Sequence, residues 1–160
     1  LYLAGRNYIP THNSTLSLDM IRAITTGGQF LGWRGPKGGA RALVIDVEQD
    51  VSIAQRRIGE TWLRGKYDPG RPLSEMVGEI EGVDESWYWQ IPEGLWIDES
   101  DVDREVVKEV IEETKPDVVL LDPLYKTFAG DPNEQALAQK VMRFFDRLRV
   151  AYRFGLILPM

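Results

Sequence analysis

The distribution of apolar runs predicts an α/β fold, with a mostly parallel sheet sandwiched by helices. Two runs, Ala42-Leu-Val-Ile45 and Val118-Val-Leu-Leu121, are continuously apolar and end in acids, Asp46 and Asp122. A run apolar on both sides suits a strand buried on both faces, the habit of parallel sheets. Between and after these runs lie segments of helical period: Val51 to about Arg64, Asp101 to Lys115, and about Glu134 to Tyr152. Strands alternating with helices of this length predict right-handed crossovers and a parallel sheet.

Taken in order, Leu1–Asn13 reads as two short β segments around Gly5-Arg6-Asn7, a short N-terminal β hairpin. Ser14 or Thr15 can cap a helix to about Thr26, with Leu16, Met20 and Ile24 on one stripe and Gly27-Gly28 stopping it. The glycine-rich stretch Gly27–Gly39 is expected to be loop. The helix from Val51 repeats Ala54, Ile58 and Trp62 at every fourth position, and a short helix is expected around Leu73–Ile80. Trp87–Ile91 and Leu95–Ile97 are short strand candidates. Asp101 is the expected cap of an amphipathic helix whose apolar face holds Val102, Val106, Val107, Val110 and Ile111. After the run ending at Asp122, Lys126–Asn133 is loop. A long helix follows with Leu137, Val141, Phe144, Phe145 and Leu148 inward, and Phe154–Leu158 is a last strand.

The 160 residues suit one domain with a sizeable core, and 43% hydrophobic with 28% charged content is ordinary for a globular chain. A net charge of −6 excludes a basic footprint over the whole chain, so nucleic acid is left with a local patch or an assembled ring. The chain has no cysteine, which excludes a disulfide framework and a thiolate metal site and fits a reducing, cytoplasmic setting. No apolar run approaches the roughly 20 residues of a membrane span, so no membrane partner is expected. The chain starts without Met and stops on Phe154-Gly-Leu-Ile-Leu-Pro-Met160, so both ends are expected to be cut.

Ligands of open α/β sheets collect beyond the carboxyl ends of the strands. Asp122 closes one apolar run, Asp46 and Glu48 close another, and Ser14-Thr15 opens the first helix. A hydroxyl at a helix start suits Mg²⁺ and phosphate, and a strand-end acid suits the metal's water shell. The set Ser14-Thr-Leu-Ser-Leu-Asp19, Thr26-Gly-Gly-Gln-Phe-Leu-Gly32, Ala42–Glu48 with Gln55-Arg-Arg-Ile58, and Asp117–Leu124 resembles the RecA-like P-loop ATPases. The likeness is greatest to the RepA-type replicative helicases and their phage AAA ATPase relatives, and it covers Ser14 to Met160.

That resemblance implies a partial RecA-like ATPase domain over residues 14–160, with ATP as substrate and Mg²⁺ as cofactor. It implies that Ser14 ligates Mg²⁺, that Thr15 lies by the phosphates, that Asp122 is the Walker B acid and that Glu48 activates water. Arg56 and Arg57 read first as a charged helix face, and their functional reading is a subunit boundary of the homo-oligomer, a hexamer in that family. DNA is the partner the resemblance allows, with Tyr125, Lys126 and Phe128 as candidate contacts, although an aromatic packed under a loop is the commoner arrangement. The pattern departs before Ser14. A Walker A motif needs G-x-x-x-x-G-K, and this chain has Ile9-Pro-Thr-His-Asn13 there, with no lysine.

Leu1–Asn13 followed by Ser14 resembles the C-terminal end of an intein, and inteins frequently interrupt phosphate loops. The implied chemistry is protein splicing: Asn13 cyclises on its own carbonyl, His12 assists as acid, and Ser14 is the nucleophile that carries the upstream ester. The alternative expectation is a degenerate RecA-like module without a working nucleotide site, used for binding or assembly. A nucleotide kinase is disfavoured, because Lys126–Asn133 lacks a basic lid.

Overall fold

The computed structural model describes residues 12–80, 86–91, 93–129 and 135–159. Most of the expected N-terminal hairpin therefore lies outside the described residues. Its last two positions do not: α1 spans His12–Thr26, so His12 and Asn13 are helical rather than extended. The helix thus starts ahead of the expected Ser14 or Thr15 cap, because His, Asn and Ser all accept helical backbone when the following turns hold them.

Gly27, at φ +69°, ends α1 in the left-handed conformation glycine favours. The stretch expected as loop contains a small antiparallel hairpin, β1 (Gln29–Phe30) and β2 (Trp33–Arg34). Its two central residues, Leu31 and Gly32, both have positive φ, 45° and 81°, as a type I′ turn requires. The amide of Ala40 then donates to the carbonyl of Ile24 at 3.0 Å, tying the last turn of α1 to the entrance of the sheet.

The main sheet has four parallel strands: β3 (Ala42–Asp46), β4 (Ser86–Gln90), β5 (Val118–Asp122) and β6 (Gly155–Ile157), in the order β4-β3-β5-β6. All five residues of β3 are buried, as the unbroken apolar run demands. Alternate side chains leave opposite faces. Ala42, Val44, Val118 and Leu120 meet Leu18 and Ile21 of α1 on one face. Leu43, Ile45, Val119 and Leu121 meet α4 (Asp101–Thr114) and α5 (Gln135–Tyr152) on the other, through Val107, Ile111, Val141 and Phe145. Each large side chain so buried contributes about 1.5–3 kcal/mol over leaving it in water. α2 (Val51–Leu63) and the short α3 (Leu73–Met76) lie between β3 and β4 in the chain, with Leu63, Met76 and Ile80 forming a small separate cluster.

Several finer expectations are corrected. Leu16 is 46% exposed, because the inward stripe of α1 runs through Leu18 and Ile21. Val102 and Val106 are exposed, since Val107 and Ile111 already fill the core face of α4. Ser100, not Asp101, caps α4, its Oγ accepting from the Asp103 amide at 3.1 Å. Leu95–Ile97 is not a strand; it runs beside the chain after β5 instead, Ile97 N–H donating to Thr127 O at 2.9 Å.

Candidate active site at the carboxyl ends of the strands

Three neighbouring strands end in polar side chains in one row. Asp46 is the register partner of Asp122 on one side and of Gln90 on the other. Asp122 is half-buried, and the Asp122–Pro123 bond that follows is cis. A single 3-10 turn, Leu124–Thr127, then carries the chain away. The last turn of α1 is tied to the residues before β3, and its first turn, His12 to Thr15, lies at the other end of that helix. Asp46, Glu48 and Asp122 are therefore gathered at one end of the sheet, although they are far apart in sequence.

Asp46, only 1% exposed, is the organiser of this edge. Its Oδ1 accepts from the amides of Glu48 and Gln49, each at 3.1 Å, which folds the chain back directly after β3. Its other oxygen accepts from the hydroxyl of Tyr88 on β4. A buried carboxylate needs such partners, since leaving one unpaired is costly. Burial first, and then the Asp46 charge, push the Tyr88 phenol well above its ordinary range, opposed by Arg57. Gln90 Nε2 donates to the carbonyl of Gln49, closing the row, while Gln49 Oε1 is buried with no hydrogen-bond partner among the described residues.

Glu48 itself is exposed, and its Oε1 accepts from the Tyr125 hydroxyl at 2.7 Å. That bond joins the loop after β3 to the turn after β5. Sequence reasoning singled out Glu48 and Asp122 but missed Tyr88 and this use of Tyr125, because the partners are 42 and 77 residues apart. Only the paired acids closing two strand runs hinted at the Asp46–Asp122 row.

The other expected site residues fall as follows. Arg56 pairs with Glu60 at 3.8 Å along α2, while Arg57 is half-buried with its charge felt at Tyr88. Phe128 is 6% exposed and belongs to the core, so it is a packing residue rather than a surface contact. Thr15 lines a cleft of about 410 Å³ between α1 and α2, together with Asp19, Glu60 and Arg64. Asp19 engages both Arg22, at 3.0 Å, and Arg64, at 3.5 Å, so this flank does not offer a free cation to a phosphate.

The described residues contain no cluster of three or more His, Cys, Asp or Glu able to cage a metal. A strand-end acid such as Asp122 fits Mg²⁺ all the same, because that ion is commonly held by one or two carboxylates plus waters and phosphate oxygens. The AAA domain family model matches residues 13–160. The chain belongs to the AAA domain family. It is thus a P-loop ATPase-type module, and its parallel sheet flanked by helices is consistent with a P-loop core. AAA ATPases generally use ATP and Mg²⁺. No curated protein matches the chain. Among the described residues no helix is long and apolar enough to cross a membrane.

Proposed function

We propose that this chain is part of a RecA-like motor ATPase of DNA replication or recombination, of the RepA type, with an intein interrupting its phosphate loop and ending at Asn13. The observation that supports the ATPase site is that β3 and β5 end side by side at Asp46 and Asp122, with Glu48 joined across them to Tyr125. Ser14 and Asp122 would hold Mg²⁺, and Thr15 would face the phosphates. Bound there, Mg²⁺ would neutralise charge on the phosphate oxygens. Glu48 takes the proton of the attacking water, and the Asp46 turn and the Tyr125 hydroxyl hold that carboxylate in place.

The intein reading is supported by the residue types at the junction and by the family likeness starting at residue 13. The side-chain nitrogen of Asn13 attacks its own backbone carbonyl, closing a succinimide. The Asn13–Ser14 bond breaks, and His12 supplies the proton taken up by the departing Ser14 amine. The freed Ser14 amine then takes the upstream acyl group from the Ser14 ester oxygen as a peptide bond, and the released Ser14 hydroxyl serves the ATPase at its metal. An unbroken α1 through His12, Asn13 and Ser14 favours a second reading, a degenerate module with no nucleotide site.

The two readings separate in three measurements. The isolated 160-residue chain should bind Mg²⁺-ATP only at millimolar concentrations or above, and tight binding would sink the missing-loop argument. The reading frame upstream of Leu1 should encode a G-x-x-x-x-G-K motif followed by a β-rich insert starting with Cys or Ser; translation starting near Leu1 favours the degenerate module. A precursor with that upstream portion should release a product lacking Leu1–Asn13 by mass spectrometry, and Asn13→Ala should abolish release. An intact wild-type precursor refutes splicing.

A further inference from the structure

The two helices that cover one face of the sheet carry opposite charge. α4 has six carboxylates against two cations, and α5 has four cations against one carboxylate. Asp101, Glu105, Glu109 and Glu113 follow one another at every fourth residue and are all exposed, so they form a single acidic ridge. Lys140, Arg143 and Arg147 are likewise exposed and share one face of α5. Among the described residues no ion pair bridges the two helices: Arg104 pairs with Asp101, Lys108 with Glu105 and Arg149 with Asp146, each within its own helix. Among the described residues the one polar link across is the Tyr152 hydroxyl donating to Glu112. Both ridges therefore present their charge outward.

We propose that this face docks a second copy of the chain about a two-fold axis lying along the helices and between them. Both helices run back from the carboxyl ends of parallel strands, so α4 and α5 are parallel to each other. Such an axis lays the α4 of each copy over the α5 of the other without changing height along the helices. The heights match. The Glu112–Tyr152 bond sets an offset of 40 residues between the helices. Arg147 is therefore level with the stretch between Glu105 and Glu109, while Lys140 and Arg143 are level with the turn holding Asp101 and Asp103. A groove of about 280 Å³ between the helices, lined by Arg104, Lys140, Arg143 and Arg147, receives the partner's carboxylates. Asp98 also lines this groove, and its carboxylate accepts from the Ala129 amide at 3.2 Å. Val102 and Val150, 72% and 75% exposed, add apolar surface beside the ridges.

An acidic and a basic ridge side by side are self-complementary under this operation, as an isologous contact requires. A nucleic acid would be attracted by the α5 ridge but repelled by the α4 ridge next to it. The inference is independent of the nucleotide-site reading, since neither ridge holds a residue assigned to it.

Sedimentation equilibrium of the 160-residue chain tests it. A monomer–dimer equilibrium is expected, with the dissociation constant rising roughly tenfold between about 0.05 M and 0.5 M salt, because exposed pairs are screened. Glu105→Lys with Glu109→Lys should weaken the dimer by roughly tenfold or more, as should Arg143→Glu with Arg147→Glu. Mixing the two variants should restore association as a mixed dimer, because each altered ridge then meets its opposite. Reversing the exposed Arg71–Glu75 pair beside α3 should leave the equilibrium unchanged. A monomer at every concentration up to about 1 mM overturns the proposal, and so does a dimer indifferent to salt and to both ridge variants. Binding of a single-stranded oligonucleotide that depends on Arg143 and Arg147, without self-association, assigns the ridge to nucleic acid and overturns it as well. Should a ridge variant fail to fold by circular dichroism, the salt dependence of the wild-type dimer still decides.

Discussion

The hydroxyl of Tyr88 donates to the buried carboxylate of Asp46, joining β4 to the end of β3. Asp46 spends its other oxygen on the amides of Glu48 and Gln49. One buried acid thereby sets both the strand edge and the loop that carries the proposed catalytic glutamate. Tyr88→Phe removes a partner from a carboxylate that is 1% exposed, and should cost about 1–3 kcal/mol in urea unfolding. A variant as stable as the wild type would mean that water or another donor replaces the phenol.

The same pair fixes a pH dependence. Burial and the Asp46 charge raise the Tyr88 phenol above its ordinary value of 10.0. The folded chain keeps the proton at pH values where the unfolded chain has released it. This contribution to stability is complete below about pH 10 and declines as the pH rises further. Tyr88→Phe should flatten that alkaline decline; Tyr152, raised by its bond to Glu112, leaves a smaller one. Equal alkaline slopes in both proteins would remove Tyr88 as its source.

At the opposite end of the sheet, Asp117 Oδ2 accepts from the Arg41 amide at 2.9 Å, and the guanidinium spans both carboxylate oxygens at 3.3 Å. These bonds to Arg41 hold the Asp117 carboxyl below its ordinary value of 3.8. Because the folded value is depressed, the stabilisation is present above about pH 4 and is lost as the pH falls. With the two side chains 41% and 51% exposed, solvent screening limits the ion pair, and Asp117→Asn should cost less than about 1 kcal/mol at neutral pH. The difference between variant and wild type should shrink in melts below about pH 3.

Two adjacent glycines should respond very differently to alanine. A Cβ on Gly39 would stand 2.0 Å from the carbonyl oxygen of Thr25, at a φ of +77°. A Cβ on Gly38, at φ +89°, meets nothing within 4 Å. Gly38→Ala carries only the backbone penalty, about 1 kcal/mol, whereas Gly39→Ala must also push α1 away and should cost about 3 kcal/mol or more. Equal losses of thermal stability would show that the loop moves freely off the helix.

In the complete protein with its phosphate loop, Glu48→Gln should lower ATP hydrolysis by about 10²–10⁴-fold while the melting temperature stays put. Tyr125→Phe removes one 2.7 Å bond to that carboxylate and should cost on the order of tenfold. Glu75→Gln, exposed on α3, serves as the control. Wild-type turnover by Glu48→Gln would dismiss it as the water-activating base.

The alternation of strands and helices, the parallel sheet and the acids that close two strands were legible in the residues, because burial on both faces demands unbroken apolar runs. Ala42–Asp46 and Val118–Asp122 announced themselves in this way. Leu95–Ile97 did not behave as its apolar content suggested, since three residues beside the Lys126–Thr127 backbone form two hydrogen bonds but no ladder. Val102 and Val106 fit the helical period yet face solvent, because periodicity defines a stripe and the sheet decides which side of it is buried. The small hairpin at Gln29–Arg34 was hidden by its glycines, which read as loop and in fact supply half of the turn.

By itself the sequence determined the fold class, the order of strands and helices along the chain, and the choice of Glu48 and Asp122 as residues worth watching. It did so through local rules, apolar run length, period and turn chemistry, which act over a few neighbours. Tertiary structure alone decided that Asp46 lies beside Asp122, that Tyr88 and Tyr125 hold the acids from 42 and 77 residues away, and that acidic α4 and basic α5 share one face. Those relations depend on strand order and register, which bring distant segments together and leave no mark in the spacing of residues along the chain.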